Sequence, residues 1–150
     1  MLKLAYHTIL LQEVPGEISL GLVFSGCPIK CPDCHSKEFW DIDSGKDFNL
    51  ESLLHKYTDM ITCVCFMGGD WEEDSLNDML RLIKINNLKT CLYTGSNTVN
   101  FNKIGIYLDY LKLGPYIKEC GGLQSPNTNQ QFFKISKTGF IDITSTFEVK

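Results

Sequence analysis

The apolar run "ITCVCFM" at 61–67, which ends in Gly68-Gly69, constrains the fold of this chain more than any other segment. A short, nearly continuous run of strand-forming residues is typical of a strand buried in a parallel sheet. Comparable segments, each rich in strand-forming residues, occur at 17–24, 89–95 and 108–114.

Segments with the spacing of an amphipathic helix separate these strands. Asn49 is a favourable N-cap residue for the first helix, and a shorter helix is predicted at 97–104. Strands that alternate with helices build α/β units with a mostly parallel sheet. The apolar positions that define the two longer helices are Leu50, Leu53, Leu54 and Tyr57, and Leu76, Met79, Leu80 and Ile83.

The last third of the chain has a different pattern. A loop rich in glycine, proline and asparagine, "GPYIKECGGLQSPNTNQ", follows the fourth strand. After it, "QFFKI" and "FIDIT" flank the turn "SKTG", which predicts a β-hairpin.

Composition excludes several classes of protein. The 150 residues fit one domain, 1–150, and a net charge of −4 without long charged runs argues against nucleic acid as a partner. No apolar run reaches the length of a membrane span, and the N-terminus lacks the pattern of a signal peptide. Seven cysteines, an odd number, favour metal binding or catalysis in a reducing compartment over a disulfide framework. We therefore expect a cytoplasmic protein with no membrane partner.

Four polar or glycine-bearing motifs each follow a predicted strand. They are a cysteine loop, "GGD", "YTG" and "LGPY". The carboxyl ends of parallel strands lie along one edge of a sheet, where ligands bind. The sequence therefore predicts that these motifs converge on one site.

The cysteine loop places Cys27, Cys31 and Cys34 within eight residues, with His35 directly after the last. Zinc on these four side chains is one interpretation, although adjacent ligands fit a tetrahedron poorly. The segment C-P-D-C-H also matches the haem attachment motif, but that interpretation leaves Cys27 unexplained. A four-iron cluster uses all three thiolates and is the favoured interpretation.

The spacing C-x-x-x-C-x-x-C after a strand, with the flanks "FSGCP" and "CH", resembles the radical S-adenosylmethionine superfamily. The resemblance implies that Cys27, Cys31 and Cys34 hold a [4Fe–4S] cluster. S-Adenosylmethionine would chelate the open iron and be cleaved reductively, with no further catalytic residue assigned. The resemblance also implies a single radical S-adenosylmethionine domain. Its α/β fold would be a truncated, open (β/α) partial barrel.

Gly68-Gly69-Asp70 looks like the Gly-Gly-Glu motif of that superfamily, although the carboxylate is shorter and Trp71 stands where proline is common. The resemblance implies that the glycines let the backbone approach S-adenosylmethionine, and that the Asp70 carboxylate binds its ammonium. The alternative is a common turn or helix cap.

Two further segments carry expected cofactor contacts. Tyr93-Thr94-Gly95 resembles the "YTG" of glycyl-radical activating enzymes, and the alternative is ordinary strand-to-helix turn chemistry. Asp33 stands where the superfamily often has an aromatic residue near the adenine, so that contact would fall to backbone around Cys34 and His35.

The block "GPYIKECGGLQSPNTNQ" resembles the activating proteins of anaerobic ribonucleoside-triphosphate reductase, with Gln131 standing where arginine is frequent. The resemblance implies that the protein installs a glycyl radical in the large reductase subunit, with an electron donor such as reduced flavodoxin. The loop 114–130 would cover the site or dock the reductase, or it is a plain surface loop. Alternatives are a pyruvate formate-lyase-type activase, a deazapurine synthase, and a non-enzymatic zinc module.

Three of the four remaining cysteines are expected to play no part in the chemistry. Cys63, Cys65 and Cys91 lie in predicted strands, where buried thiols behave as small apolar side chains. The role of Cys120 is open.

Overall fold

A seven-stranded sheet forms the centre of the computed structural model, which describes residues 2–27, 41 and 44–148. The strands lie in the order of the sequence, and β2 to β5 are parallel to one another. The fold is therefore mixed α/β, as predicted, with antiparallel strands at both sides of the parallel part. The strands are β1 (Leu4–Leu10), β2 (Ser19–Phe24), β3 (Cys63–Met67), β4 (Lys89–Tyr93), β5 (Tyr110–Leu113), β6 (Gln131–Ser136) and β7 (Gly139–Asp142).

Among the residues that the structure describes, two α-helices connect parallel strands. Helix α1 (Leu50–Tyr57) follows β2, and α2 (Glu73–Ile85) follows β3. The Asn49 side chain accepts a 3.0 Å hydrogen bond from the backbone N–H of Ser52, which confirms the predicted N-cap. In the part of the chain that is described, no helix is long and apolar enough to span a membrane.

The prediction of a helix at 97–104 is wrong. The segment forms bends and turns, and only a short 3₁₀ helix, Gly105–Tyr107, follows it. The carbonyl of Asn100 accepts hydrogen bonds from the N–H groups of Lys103 and Ile104, which closes a single turn. Asparagine favours such turns over helix interiors because its side chain competes for backbone hydrogen bonds.

Both edges of the sheet are antiparallel. At one edge β1 pairs with β2, so the first residues of the chain form an added strand. At the other edge β6 pairs with β5, and β7 returns beside β6 as the predicted hairpin.

One face of the sheet packs against the two helices. Leu22 of β2, Phe66 of β3 and Leu92 of β4 are fully buried in the cluster that contains Leu54 of α1 and Leu80 of α2. The burial of apolar surface between the sheet and the helices is the main favourable contribution to the free energy of folding.

The opposite face has a smaller apolar cluster. Cys63, Cys65 and Cys91 are fully buried there, beside Tyr110 and Phe132. Burial raises the pKa of the Cys63 thiol, so it stays protonated. The prediction that these three cysteines are buried is confirmed.

Candidate functional site

The carboxyl ends of the four parallel strands meet at one edge of the sheet, here called the rim. Cys27 follows β2, Asp70 follows β3, Gly95 follows β4 and Gly114 follows β5. The structure thus brings one residue of each predicted motif to the same edge, as expected for a parallel sheet.

Cys27 is the predicted ligand that the structure describes. Its thiol is free and partly exposed, and it follows Gly26, whose φ of +88° turns the chain at the end of β2. The other predicted ligands, Cys31 and Cys34, lie outside the described residues, as do the predicted cofactor contacts Asp33 and His35. Within residues 2–27, 41 and 44–148, no three His, Cys, Asp or Glu side chains are grouped to hold a metal ion.

Gly68 and Gly69 have φ values of +91° and +100°, which favour glycine. A Cβ atom at Gly68 would lie 2.7 Å from the Trp71 ring, and one at Gly69 would lie 3.2 Å from Leu2 and 3.3 Å from Phe24. Backbone conformation therefore favours glycine at both positions, and a Cβ there would also press on neighbouring side chains. Their predicted close approach to a cofactor stays a prediction.

The predicted site residues Asp70 and Thr94 are in direct contact. The Thr94 hydroxyl donates a 2.8 Å hydrogen bond to Oδ2 of Asp70 and accepts one of 3.0 Å from the N–H of Ser96. Thr94 is only 2% exposed. A carboxylate that accepts such a bond is held in one orientation at the rim.

Tyr93, the residue before Thr94, faces the opposite side of the sheet. Its ring packs edge-on against Phe132, and its hydroxyl donates to the carbonyl of Glu13. Burial raises the pKa of this phenol, so it remains neutral. Gly95 is partly buried at the rim directly after Thr94.

Lys112 is a buried cation that the sequence interpretation missed. It is 8% exposed, and its ammonium donates hydrogen bonds to the carbonyls of Gly114, at 2.7 Å, and Thr94, at 3.3 Å. A lysine within the otherwise apolar run "YLKL" is the signal that could have identified it, because an ionised side chain is seldom buried unless it is paired.

Two cavities flank the end of β4. One, of about 420 Å³, is lined by Asp70 and by Trp71 and Ile104, which belong to the core on the helix side. The other, of about 600 Å³, is lined by Tyr93 and Lys112 on the opposite face. The structure therefore brings Asp70 together with Thr94, but it places Tyr93 at a different cavity.

The loop 114–130 forms part of the wall of the larger cavity, through Tyr116, Gly122 and Gln130 among others. Its ends are held together, because the Asn129 side chain donates a 3.0 Å hydrogen bond to the carbonyl of Pro115. Cys120 lies within this loop and is partly exposed. Whether the loop covers a ligand or docks a partner stays a prediction.

Comparison with known proteins shows that the sequence resembles those of iron–sulfur proteins. The chain is 31% identical, over 113 residues, to the pyruvate formate-lyase-activating enzyme of Clostridium pasteurianum. That similarity covers 69% of this chain and 47% of the relative, so the chain spans about half the length of the relative it matches. Residues 15–120, which include the cysteine loop and the rim residues Asp70, Gly95 and Gly114, match the family described as 4Fe-4S single cluster domain. Because this match covers more than half of the present chain, the chain belongs to the 4Fe-4S single cluster domain family.

Proposed function

We propose that the protein is a radical S-adenosylmethionine enzyme, organised as one domain over 1–150, that installs a glycyl radical in anaerobic ribonucleoside-triphosphate reductase. The observation that carries this proposal is the arrangement at the rim. There Cys27, Asp70 and Gly95 follow the neighbouring parallel strands β2, β3 and β4, so a cluster and an organic cofactor could be held side by side.

The donor set fits a [4Fe–4S] cluster. Cys27 is partly exposed at the end of β2, where its thiol is accessible to iron, and the family match names a single 4Fe-4S cluster. Cys31 and Cys34 would complete the three ligands. A bound cluster supplies one electron for cleavage of the sulfonium C–S bond of S-adenosylmethionine. These findings favour the cluster over the zinc module.

The residues of the rim would bind and orient S-adenosylmethionine. The Asp70 carboxylate accepts a hydrogen bond from Thr94, and we propose that it would also accept hydrogen bonds from the ammonium group of the methionine moiety. The backbone of Gly68 and Gly69 would approach S-adenosylmethionine closely. The adenine would lie near the backbone of Cys34. The remaining proposed cofactor contacts are Asp33, His35 and Gly95, whereas the Tyr93 side chain lies at the other cavity.

The proposed reaction balances in two steps. One electron and S-adenosylmethionine would give methionine and a 5′-deoxyadenosyl radical. That radical would take a hydrogen atom from the Cα of a glycine in the partner, which would leave 5′-deoxyadenosine and a glycyl radical. The electron would come from a cytoplasmic donor such as reduced flavodoxin. The role of this chain is to position the cofactor and to exclude water.

The choice of the reductase as partner is supported by the block "GPYIKECGGLQSPNTNQ" in the loop 114–130. This loop lines the 600 Å³ cavity and is proposed to cover the site or to dock the partner. A sheet that ends in the β6–β7 hairpin, curved into an open partial barrel, would leave room for a protein substrate.

The similarity to a pyruvate formate-lyase-activating enzyme favours a second candidate. In that case the same chemistry would act on a different glycyl-radical enzyme. The two candidates share the cluster, S-adenosylmethionine and the radical, and they differ only in the protein that presents the glycine.

Electron paramagnetic resonance of the anaerobically reconstituted, reduced protein tests the proposal. With S-adenosylmethionine and the anaerobic reductase, we expect the cluster signal to give way to a glycyl-radical doublet. The matched reaction contains pyruvate formate-lyase in place of the reductase. A doublet only with pyruvate formate-lyase would support the second candidate. One zinc per chain and no cluster signal would overturn both.

A further inference from the structure

We infer that Thr94 is a positioning residue, which acts on S-adenosylmethionine through the carboxylate of Asp70 instead of touching the cofactor with its own side chain. This inference rests on the proposed function, because the group that Thr94 orients is the proposed ligand of the methionine ammonium. The first observation is the 2.8 Å hydrogen bond from Thr94 Oγ1 to Asp70 Oδ2.

The Thr94 hydroxyl satisfies two partners at once. Its single hydrogen is donated to Asp70 Oδ2, since a carboxylate can only accept, and one of its two lone pairs accepts a 3.0 Å hydrogen bond from the N–H of Ser96.

The backbone holds both partners in place. The N–H of Gly68 donates a 2.8 Å hydrogen bond to the carbonyl of Tyr93, and the N–H of Thr94 donates one of 3.0 Å to the carbonyl of Lys112. The ends of β3, β4 and β5 are thereby joined at the rim. In addition, the β-branched side chain of Thr94 has restricted χ1 rotation, which limits the positions that its hydroxyl can occupy on a fixed backbone.

Thr94 is poorly placed to bind a ligand itself. It is 2% exposed, and its hydroxyl, backbone N–H and carbonyl all have partners within the protein. Asp70 is partly exposed and lines the 420 Å³ cavity. Its Oδ1 accepts no hydrogen bond from the described residues, so one carboxylate oxygen is fixed by Thr94 while the other can receive a ligand.

Thr94→Val removes the hydroxyl and keeps the shape, and Thr94→Ser keeps the hydroxyl. We expect Thr94→Val to weaken the binding of S-adenosylmethionine about ten-fold, since a hydrogen bond to a charged group is lost. Thr94→Ser should bind within about two-fold of wild type. Binding is measured by anaerobic calorimetry on the cluster-loaded protein, and melting temperature without ligand is measured for each variant.

A double-mutant cycle with Asp70→Asn separates positioning from general loss of structure. If Thr94 acts through Asp70, Thr94→Val should have little further effect on binding once Asp70 is replaced. Three outcomes would each overturn this inference and leave the proposed function intact. They are additive losses of binding in the double mutant, unchanged binding by Thr94→Val, and weak binding by Thr94→Ser. No binding by the wild-type protein would overturn the proposed function, and this inference with it.

Discussion

The ammonium of Lys112 lies 2.7 Å from the carbonyl oxygen of Gly114, and it also donates to the carbonyl of Thr94. A buried cation thus joins the end of β5 to the end of β4, at the point where the loop 114–130 begins. Gly114 receives a second, weaker bond of 3.4 Å from the Gln130 side chain, at the other end of that loop.

Replacing Lys112 with methionine keeps most of the side-chain length and removes the charge. We expect the free energy of unfolding to fall by about 1–2 kcal/mol, because two buried carbonyls lose a charged donor. Chemical denaturation measures this, with Lys118→Met, at an exposed position of the loop, as the control. Equal stability of the two variants would show that the buried ammonium adds nothing to folding.

Alanine substitutions at Gly69 and Gly16 distinguish the effect of backbone strain on stability from the effect of packing. Both have positive φ, but a Cβ at Gly16 would meet no atom within 4 Å, whereas one at Gly69 would meet Leu2 and Phe24. We expect Gly69→Ala to lower the unfolding free energy by at least about 1 kcal/mol more than Gly16→Ala, because it adds overpacking to the backbone strain. Thermal or urea unfolding of both variants tests this, and equal losses would contradict it.

Iron content tests the proposed ligands directly. We expect Cys27→Ala and Cys31→Ala to lose most of the roughly four irons bound per chain after anaerobic reconstitution. Cys120→Ser, at a partly exposed thiol outside the motif, is the matched control and should retain its iron. Buried Cys63 is not expected to substitute, since burial raises the pKa of its thiol and metals bind the thiolate. Full iron and continued cleavage of S-adenosylmethionine in Cys31→Ala would remove that residue from the ligand set.

Glu17 is expected to make stability depend on acid pH. Burial opposes its ionisation, but hydrogen bonds from Thr62, Lys89 and Tyr110 outweigh that effect and lower its pKa from the ordinary value of 4.5. The folded state therefore binds fewer protons than the unfolded state, so this stabilisation is present above pH 4.5 and is lost as pH falls through the lowered pKa.

The measurement is the free energy of unfolding of wild type and Glu17→Gln, from neutral pH to below 4.5. The difference between the two proteins should be largest near neutral pH and should shrink on acidification. Glu51→Gln, at an exposed position of α1, serves as the control and should follow wild type. A difference that does not change with pH would refute this account of Glu17.

Local signals made much of the fold predictable. The N-cap at Asn49, the spacing of the apolar residues and the turn before Gly139 depend on neighbouring residues, and each is confirmed. The pairing of β1 with β2 and the hydrogen bond from Lys112 to Thr94 depend on contacts between separate strands, which no local pattern specifies. The burial of Lys112 itself is signalled locally by the run "YLKL".

The separation of Tyr93 from Asp70 was predictable in principle. Successive side chains of a strand point to opposite faces, so Tyr93 and Thr94 cannot both face the same cavity. Treating "YTG" as one motif neglected this alternation. The positions of Trp71 against Gly68 and of Leu2 against Gly69, by contrast, follow only from the assembled core.

The antiparallel strands at the two edges determine where a label can be attached without disturbing the proposed chemistry. Leu4 pairs with Phe24, near the rim, so a tag or fluorophore joined close to the start of β1 would lie beside the rim. The β6–β7 turn at Lys137 and Thr138 points the other way, because β6 begins beside the end of β5 and runs antiparallel to it. A dye or a surface tether at Thr138, which is exposed, would therefore leave the rim open to a large protein partner.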